Sequence, residues 1–224
     1  MDKISNIELI PVIELEPLDF SDGRCYNGPN DIENHLELWD EYNRKSYADA
    51  GLTSITPIET GSWLFKIENL NENELAIIMK RKLETSGEDH DSINEIFNDP
   101  VEYVPLIAGG YLFLSMHNIL SKPGCCSGLE DIEDWKNASN GTLGEIWTGH
   151  DKDGIVHLSN FMYDSIYQMT IDDNFMLIDI LELQNAVKKA EHKIDTFIQQ
   201  TGVIINQSFD IKNGHEISKS MIYK

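Results

Sequence analysis

Cysteines and long hydrophobic runs are both scarce in this sequence. Only three of the 224 residues are cysteine, and an odd number cannot form a complete disulfide framework. The longest apolar run, VPLIAGGYLFL at 104–114, contains two glycines and is far too short to span a bilayer. The N-terminus lacks a basic segment followed by an apolar core, as a signal peptide would have. These absences predict a cytoplasmic protein.

Positive charge is scarce relative to negative charge. The chain has 39 acidic and 17 basic residues, which gives a formal net charge of −22. Such a field repels nucleic acids and anionic membranes, because both require positively charged partners. It attracts a basic protein and speeds the encounter at low salt. The composition therefore predicts no nucleic-acid and no membrane partner and favours a basic protein partner. Acidity that serves solubility alone is the alternative.

The negative charge is distributed unevenly along the chain. Residues 1–100 carry a net charge of −14 and residues 101–182 one of −10, whereas residues 183–224 carry +2. We therefore expect the acidic surface on the main body of the protein and a nearly neutral C-terminal segment. The charge pattern leaves the oligomeric state open.

The order of apolar segments predicts the fold class. Residues 102–120 are continuously apolar over much of their length, which is typical of a strand buried on both faces. Residues 145–160 indicate a hairpin, and residues 165–171 a further strand. Helical patterns precede and follow these strands. The combination favours an α+β protein with a mostly antiparallel central sheet flanked by helices.

Two helices are predicted by their periodicity and end signals. Asn71 with Glu74 three residues later indicates a capping box that opens a helix over 72–84. A longer amphipathic C-terminal helix is expected over 174–201, closed near Gly202. We expect it to lie on the sheet, and an oligomerisation helix is the alternative. The apolar stripe of this helix consists of Met176, Ile180, Leu183, Val187, Ala190, Ile194 and Phe197.

The chain is expected to form a single α+β domain over residues 1–224. Within it, residues 1–30 are expected to form an extended arm or an edge strand, because Pro11 interrupts a β-branched stretch. The length of the chain is sufficient to bury one large core. No internal repeat divides the sequence.

The segment PGCCSGLEDIEDW at 123–135 contains the adjacent cysteines Cys125 and Cys126. Zinc sites usually space their cysteines by two to four residues, and adjacent residues of an extended chain point in opposite directions. Ser127 with Glu130 indicates a helix N-terminus, which favours a thiolate, but the neighbouring carboxylates oppose it. We therefore predict structural cysteines, with no metal ion, no cofactor and no catalytic residue.

A thiol-dependent enzyme is the alternative interpretation of the cysteine pair. It would combine Cys125 or Cys126 with a nearby histidine base, and the neighbouring elements offer His117, His150 and His157. Local catalytic signatures such as a nucleophile elbow or a phosphate-binding glycine loop are missing. His150 is therefore predicted to be structural.

A composite pattern over residues 105–160 resembles a known group of proteins. The strand GGYLFLS is followed by PGCCSGLEDIEDW, IWTGHD and IVHLSN. The order Cys-Cys-x-x-Leu, Trp, Trp-x-Gly-His resembles mostly uncharacterised bacterial proteins similar to the SUKH (Smi/Knr-like) superfamily of immunity proteins. The resemblance implies a non-catalytic α+β domain that binds a cognate toxin, often a nuclease. The residues that match the pattern are Gly124, Cys125, Cys126, Leu129, Trp147, Gly149 and His150.

Charge and resemblance together predict a toxin-neutralising protein that occludes the surface of a basic partner. We expect the contact near the predicted helix after the cysteines, with Trp135 as an aromatic anchor. Core packing of Trp135 beside Leu129 and Ile132 is the alternative. The residues predicted to form the partner surface are Glu130, Asp131, Glu133, Asp134, Trp135, Asp151 and Asp153.

Overall fold

The computed structural model confirms the predicted α+β class. It describes residues 2–21, 35–85, 95–150 and 156–223. Strands form mostly antiparallel sheets, helices accompany them, and a long helix lies towards the C-terminus. The strands form two sheets where one central sheet was expected. Within the described ranges, no helix is both long and apolar enough to cross a membrane.

The secondary-structure elements follow one another in this order along the described chain. The strands are β1 (Asp2–Lys3), β2 (Ile7–Glu14), β3 (Leu64–Lys66), β4 (Gly109–Ser115), β5 (Asn118–Ser121), β6 (Gly144–Ile146), β7 (Val156–Tyr163), β8 (Ile166–Ile171) and β9 (Asn174–Asp179). The helices include α1 (Leu36–Asp49), α2 (Glu72–Thr85), α3 (Pro100–Tyr103), α4 (Ile132–Ser139), α5 (Ile180–Phe209) and α6 (Gly214–Ser220). Short 3-10 turns occur at Pro17–Phe20, Ile67–Asn69 and Leu129–Asp131.

The chain divides into two compact units. The first unit combines Met1–Val12 with Ala108–Asp195, and the second combines Ile13–Ile107 with Thr196–Lys224. Both β2 and α5 contribute residues to each unit. The first unit contains the whole segment that carries the cysteine pair.

A five-stranded sheet in the first unit has the order β1-β9-β8-β7-β6. The predicted hairpin of residues 145–160 is present as antiparallel β6 and β7, and β8 confirms the strand predicted at 165–171. Asp172 and Asp173 join β8 to β9, and both have positive φ angles, of 47° and 63°. Two positive φ angles are characteristic of the tight turn that suits the twist of a hairpin.

The long helix begins and ends later than predicted. Residues 174–179 belong to β9, where Met176 pairs with Met169 of β8, so the apolar residue that suggested an earlier helix start belongs to a strand. The helix begins at Ile180 and continues through Gly202 to Phe209. A Cβ atom on Gly202 would lie 2.8 Å from the Cα of His215. Gly202 therefore permits close packing of α6 and does not end the helix.

Strand β2 has neighbours on both sides, so the predicted arm or edge strand is wrong for Ile7–Glu14, although β1 does lie at an edge of the five-stranded sheet. In the four-stranded sheet, the order β3-β2-β4-β5 places β2 inside. The N–H of Leu15 donates to the carbonyl of Trp63 at 3.0 Å, just beyond β2. Both Val12 and Ile13 are fully buried. Their apolar side chains explain the internal position of β2 despite Pro11. Residues 22–30, which the same prediction covered, lie outside the described part.

The predicted start of α2 is confirmed in atomic detail. The side-chain oxygen of Asn71 accepts the N–H of Glu74 at 3.1 Å, and the Glu74 carboxylate accepts the N–H of Asn71 at 2.9 Å. This reciprocal pair is the predicted capping box. In the same unit, the buried Tyr47 hydroxyl donates to the carbonyl of Leu15 at 2.7 Å. These hydrogen bonds each satisfy polar groups within the second unit, beside its apolar core.

Candidate functional site

The loop that carries the cysteines is fastened to β4 by Ser127. Its hydroxyl lies 2.7 Å from the carbonyl oxygens of both Gly109 and Gly124, and the N–H of Gly109 donates to the Ser127 carbonyl at 3.1 Å. Ser127 therefore does not cap a helix, as the sequence had suggested. The N–H of Gly128 donates to the Asp131 carboxylate at 2.8 Å instead, and a 3-10 turn precedes α4.

Trp135 belongs to the core, so its predicted place on the partner surface is wrong. Only 1% of the residue is exposed, and its ring centroid lies 5.0 Å from that of Phe113 on β4. Ile132, Trp135 and Ala138 are all buried, and their spacing of three residues places them on one face of α4. The alternative interpretation, core packing, is the correct one for Trp135.

The four acidic residues around α4 differ in exposure. Glu133 is exposed and forms an ion pair with Lys136 at 2.8 Å. Asp134 is half-buried and accepts the N–H of Trp147 at 3.3 Å. Glu130 is also half-buried, and its Oε2 has no hydrogen-bond partner among the described residues. Glu133 thus presents the most accessible carboxylate of this group. The predicted surface residues Asp151 and Asp153 lie outside the described part.

Asp131 has an altered acidity because of its position. Burial raises the pKa of its carboxyl to about 6, and the N–H of Gly128 opposes this shift only in part. The nearby carboxylates of Glu130 and Asp134 raise the pKa of Asp131 further. The carboxyl of Asp131 thus accepts a hydrogen bond in the local turn, although its half-buried position disfavours the charged form.

Two separate pieces of the signature pattern are in direct contact. The N–H of Gly124 donates to the carbonyl of Thr148 at 2.5 Å, and the N–H of His150 donates to the carbonyl of Cys125 at 3.0 Å. Gly149 lies between them with a φ angle of +108°, and a Cβ atom there would approach the Cα of Gly124 to 2.7 Å. Both the backbone conformation and the close approach require glycine at 149.

The two cysteine side chains converge on each other. Their Sγ atoms are 3.6 Å apart, both residues are exposed, and neither forms a disulfide. Cys126 has a φ angle of +65°, and this left-handed conformation turns its side chain back towards that of Cys125. The expectation that these adjacent side chains point in opposite directions is therefore wrong, because it assumed an extended backbone.

His150 completes a cluster with the two thiols. One ligand atom from each of Cys125, Cys126 and His150 lies within 4.8 Å of the others. The imidazole also packs edge-to-face against Trp147, with ring centroids 4.8 Å apart. His117, another of the candidate bases, instead has its Nδ1 3.2 Å from Glu8. We call Cys125, Cys126 and His150 the thiol–imidazole cluster.

The sequence predicted structural roles for these three residues, and only the alternative interpretation combined a cysteine of the pair with a histidine such as His150. Two thiols and an imidazole can bind a soft metal ion, and a thiol beside an imidazole can act as a nucleophile. The signal in the sequence was a glycine beside each part, Gly124 before the cysteines and Gly149 before His150. Such glycines can mark a close backbone approach, but the sequence does not identify the segment that is approached.

Comparisons with protein-family models, curated proteins and solved structures find no match to this chain. The resemblance to SUKH-type immunity proteins therefore stays a prediction. The functional interpretation rests on the charge of the chain and on the residues that the structure exposes.

Proposed function

We propose that the chain is a cytoplasmic, acidic protein-binding domain that neutralises a basic partner, of the toxin type, by covering its surface. The net charge of −22 carries the proposal, since a field of this strength favours a partner with a basic surface. The resemblance to immunity proteins supports the same role. A nuclease toxin is a suitable partner, because its substrate-binding surface is basic.

An exposed apolar surface supports the proposal independently of charge. Phe161, Met162 and Tyr163 are consecutive and expose 55%, 46% and 58% of their surface. The exposed Asp164 follows them in the turn between β7 and β8. Aromatic residues and methionine are enriched in protein interfaces. We call residues 161–164 the hairpin tip.

The hairpin tip offers the anchor that Trp135 cannot provide. The Phe161 ring packs edge-to-face against Tyr167, with centroids 5.2 Å apart, so part of its conformational freedom is already lost before binding. Such preorganised aromatic residues commonly dominate binding energy. Asp164 adds a negative charge beside them. A partner with an apolar pocket rimmed by lysine or arginine fits this surface.

The test uses the protein encoded by the neighbouring gene, co-produced with this chain and isolated with it. We expect a complex at low salt whose dissociation constant increases steeply with ionic strength, because screening weakens attraction between opposite net charges. We also expect the chain to block the activity of that protein. A neighbouring product that is acidic, or that fails to bind at low salt, would contradict the proposal.

A matched pair of variants tests the role of the hairpin tip. The double change Phe161→Ala and Tyr163→Ala should weaken binding by at least about 30-fold, since truncation of even one hot-spot aromatic costs roughly 2 kcal/mol or more. Phe175→Ala is the control, because Phe175 is similarly exposed, at 57%, at the start of β9 in the same sheet. Equal effects of the two changes would remove the hairpin tip from the interface.

A thiol-dependent enzyme is a second candidate, favoured by the position of His150 beside the two thiols. Thiol labelling across pH tests it, in metal-free protein with Cys25→Ser to leave two thiols. An activated thiolate would react below about pH 7, and His150→Ala would abolish that reactivity. Labelling with the pH profile of an ordinary thiol, unchanged by His150→Ala, would exclude this function.

A further inference from the structure

We propose that the thiol–imidazole cluster binds one soft metal ion of the zinc class through Cys125 Sγ, Cys126 Sγ and one ring nitrogen of His150. The site is independent of the proposed protein-binding function. It lies in the first unit and uses side chains that are all exposed. An ion can therefore reach it from solvent without opening the core.

The distances suit an ion held by two thiolates. Tetrahedral zinc with bonds of about 2.3 Å to sulfur separates two coordinating sulfur atoms by about 3.8 Å. The Sγ atoms of Cys125 and Cys126 are 3.6 Å apart. This separation is much longer than the bond of about 2.05 Å in a disulfide. The pair is thus spaced for a shared ion.

The third ligand is supplied by a distant part of the chain. The ligand atoms of the cluster lie within 4.8 Å of one another, whereas sulfur and nitrogen on one zinc ion are about 3.6 Å apart. Small rotations of exposed side chains can close this difference. The contact between the imidazole and Trp147 limits the orientations of the ring, which reduces the entropy lost on binding.

The backbone around the cluster is preorganised. The hydrogen bonds from Gly124 to Thr148 and from His150 to Cys125 hold the two segments together. The left-handed conformation of Cys126 directs its thiol towards that of Cys125. A strained or unusual conformation of this kind persists only where the surrounding structure supports it. The geometry is therefore built by the fold and does not depend on the ion.

The chemistry of the ligands selects the class of metal. Thiolates favour soft or borderline ions such as Zn²⁺ and Cu⁺, and imidazole suits the same ions. Calcium and magnesium prefer oxygen ligands and should bind weakly here. Three protein ligands leave a fourth position of a tetrahedral ion for water or another ligand. Both thiols lose their protons on binding, so affinity should increase with pH.

The test is competition for Zn²⁺ against a chelator of known affinity, under reducing conditions, with the full chain carrying Cys25→Ser. We expect one Zn²⁺ per chain. Cys125→Ser, Cys126→Ser and His150→Ala should each weaken binding by at least about 10-fold to 100-fold, the loss known even for supporting residues of metal sites. His157→Ala is the control, because His157 is exposed on β7 of the same unit and outside the cluster.

The outcomes distinguish a metal site with three ligands from two thiols that are merely adjacent. Urea unfolding of each metal-free variant shows whether its fold is retained, as expected for exposed residues. Loss of binding in the cysteine variants with full binding in His150→Ala would overturn the three-ligand site. A protein in which Cys125→Ser and Cys126→Ser are combined serves as the reference without thiols; if the Cys25→Ser protein binds Zn²⁺ no more strongly than this reference, the proposal is overturned altogether.

Discussion

Replacing Gly149 with alanine should separate the two segments that form the thiol–imidazole cluster. A non-glycine residue at a φ angle of +108° costs about 1–3 kcal/mol. The new Cβ would also approach the Gly124 backbone to 2.6 Å, and relief of such overpacking costs about 1–3 kcal/mol more. We therefore expect Gly149→Ala to reduce the free energy of unfolding by about 2–6 kcal/mol.

Gly144 provides a matched control for the same substitution. Its φ angle is also positive, at +143°, but a Cβ atom there meets nothing within 4 Å. Gly144→Ala should thus cost about 1–3 kcal/mol, from the backbone alone. Urea unfolding of both variants measures the difference, and Zn²⁺ competition should show at least a tenfold weaker site in Gly149→Ala only. Equal losses of unfolding free energy in the two variants would refute the close approach of Gly149 to Gly124.

Two further predictions concern the helix after the cysteines. Trp135→Ala should lower the free energy of unfolding by about 3–5 kcal/mol, because it empties a core position; a loss below about 1 kcal/mol in urea unfolding would place the ring outside the core. Asp131→Asn keeps an acceptor for Gly128 and removes the charge. The folded protein raises the pKa of Asp131 to about 6, so it binds the proton of this carboxyl more tightly than the unfolded chain does. This stabilises the fold below pH 4, and the contribution is lost as the pH rises through 6. Relative to the wild type, the variant should therefore gain about 1–2 kcal/mol of unfolding free energy between pH 4 and pH 7, because solvent screening of the half-buried carboxyl reduces the full effect of the shift; a constant difference would contradict this.

Elements that depend on contacts between residues close in sequence could be predicted from the sequence. The continuous apolar run of β4 indicated a strand buried on both faces, and all seven of its residues are buried. Asn71 and Glu74 are three residues apart, so their capping box could be predicted from the sequence. The hairpin of β6 and β7 followed from two strand-like runs joined by a turn.

Features that depend on tertiary contacts were predicted less well. Met176 fits a helical stripe, but its pairing with Met169 makes it part of a strand. Gly202 resembles a helix end until the neighbouring His215 backbone is known. Burial of Trp135 depends on Phe113, 22 positions earlier in the chain. In each case the deciding contact comes from a residue outside the local pattern.

The thiol–imidazole cluster shows the same limit most clearly. Its formation requires a left-handed Cys126 and a contact between two segments that are about 25 residues apart. Neither can be deduced from the spacing of the cysteines, which argued against a shared ion. The aromatic anchor of the partner surface was likewise predicted at Trp135, which is buried, whereas the structure exposes an apolar hairpin tip elsewhere in the unit.

X-ray absorption spectroscopy at the zinc edge, on the Cys25→Ser protein with one equivalent of Zn²⁺, measures the ligands of the bound ion. We predict two sulfur atoms at about 2.3 Å and one imidazole nitrogen at about 2.0–2.1 Å, with the fourth position open to a light atom. The nitrogen signal of imidazole should disappear in His150→Ala. A shell of oxygen and nitrogen without sulfur would contradict a metal site at Cys125, Cys126 and His150.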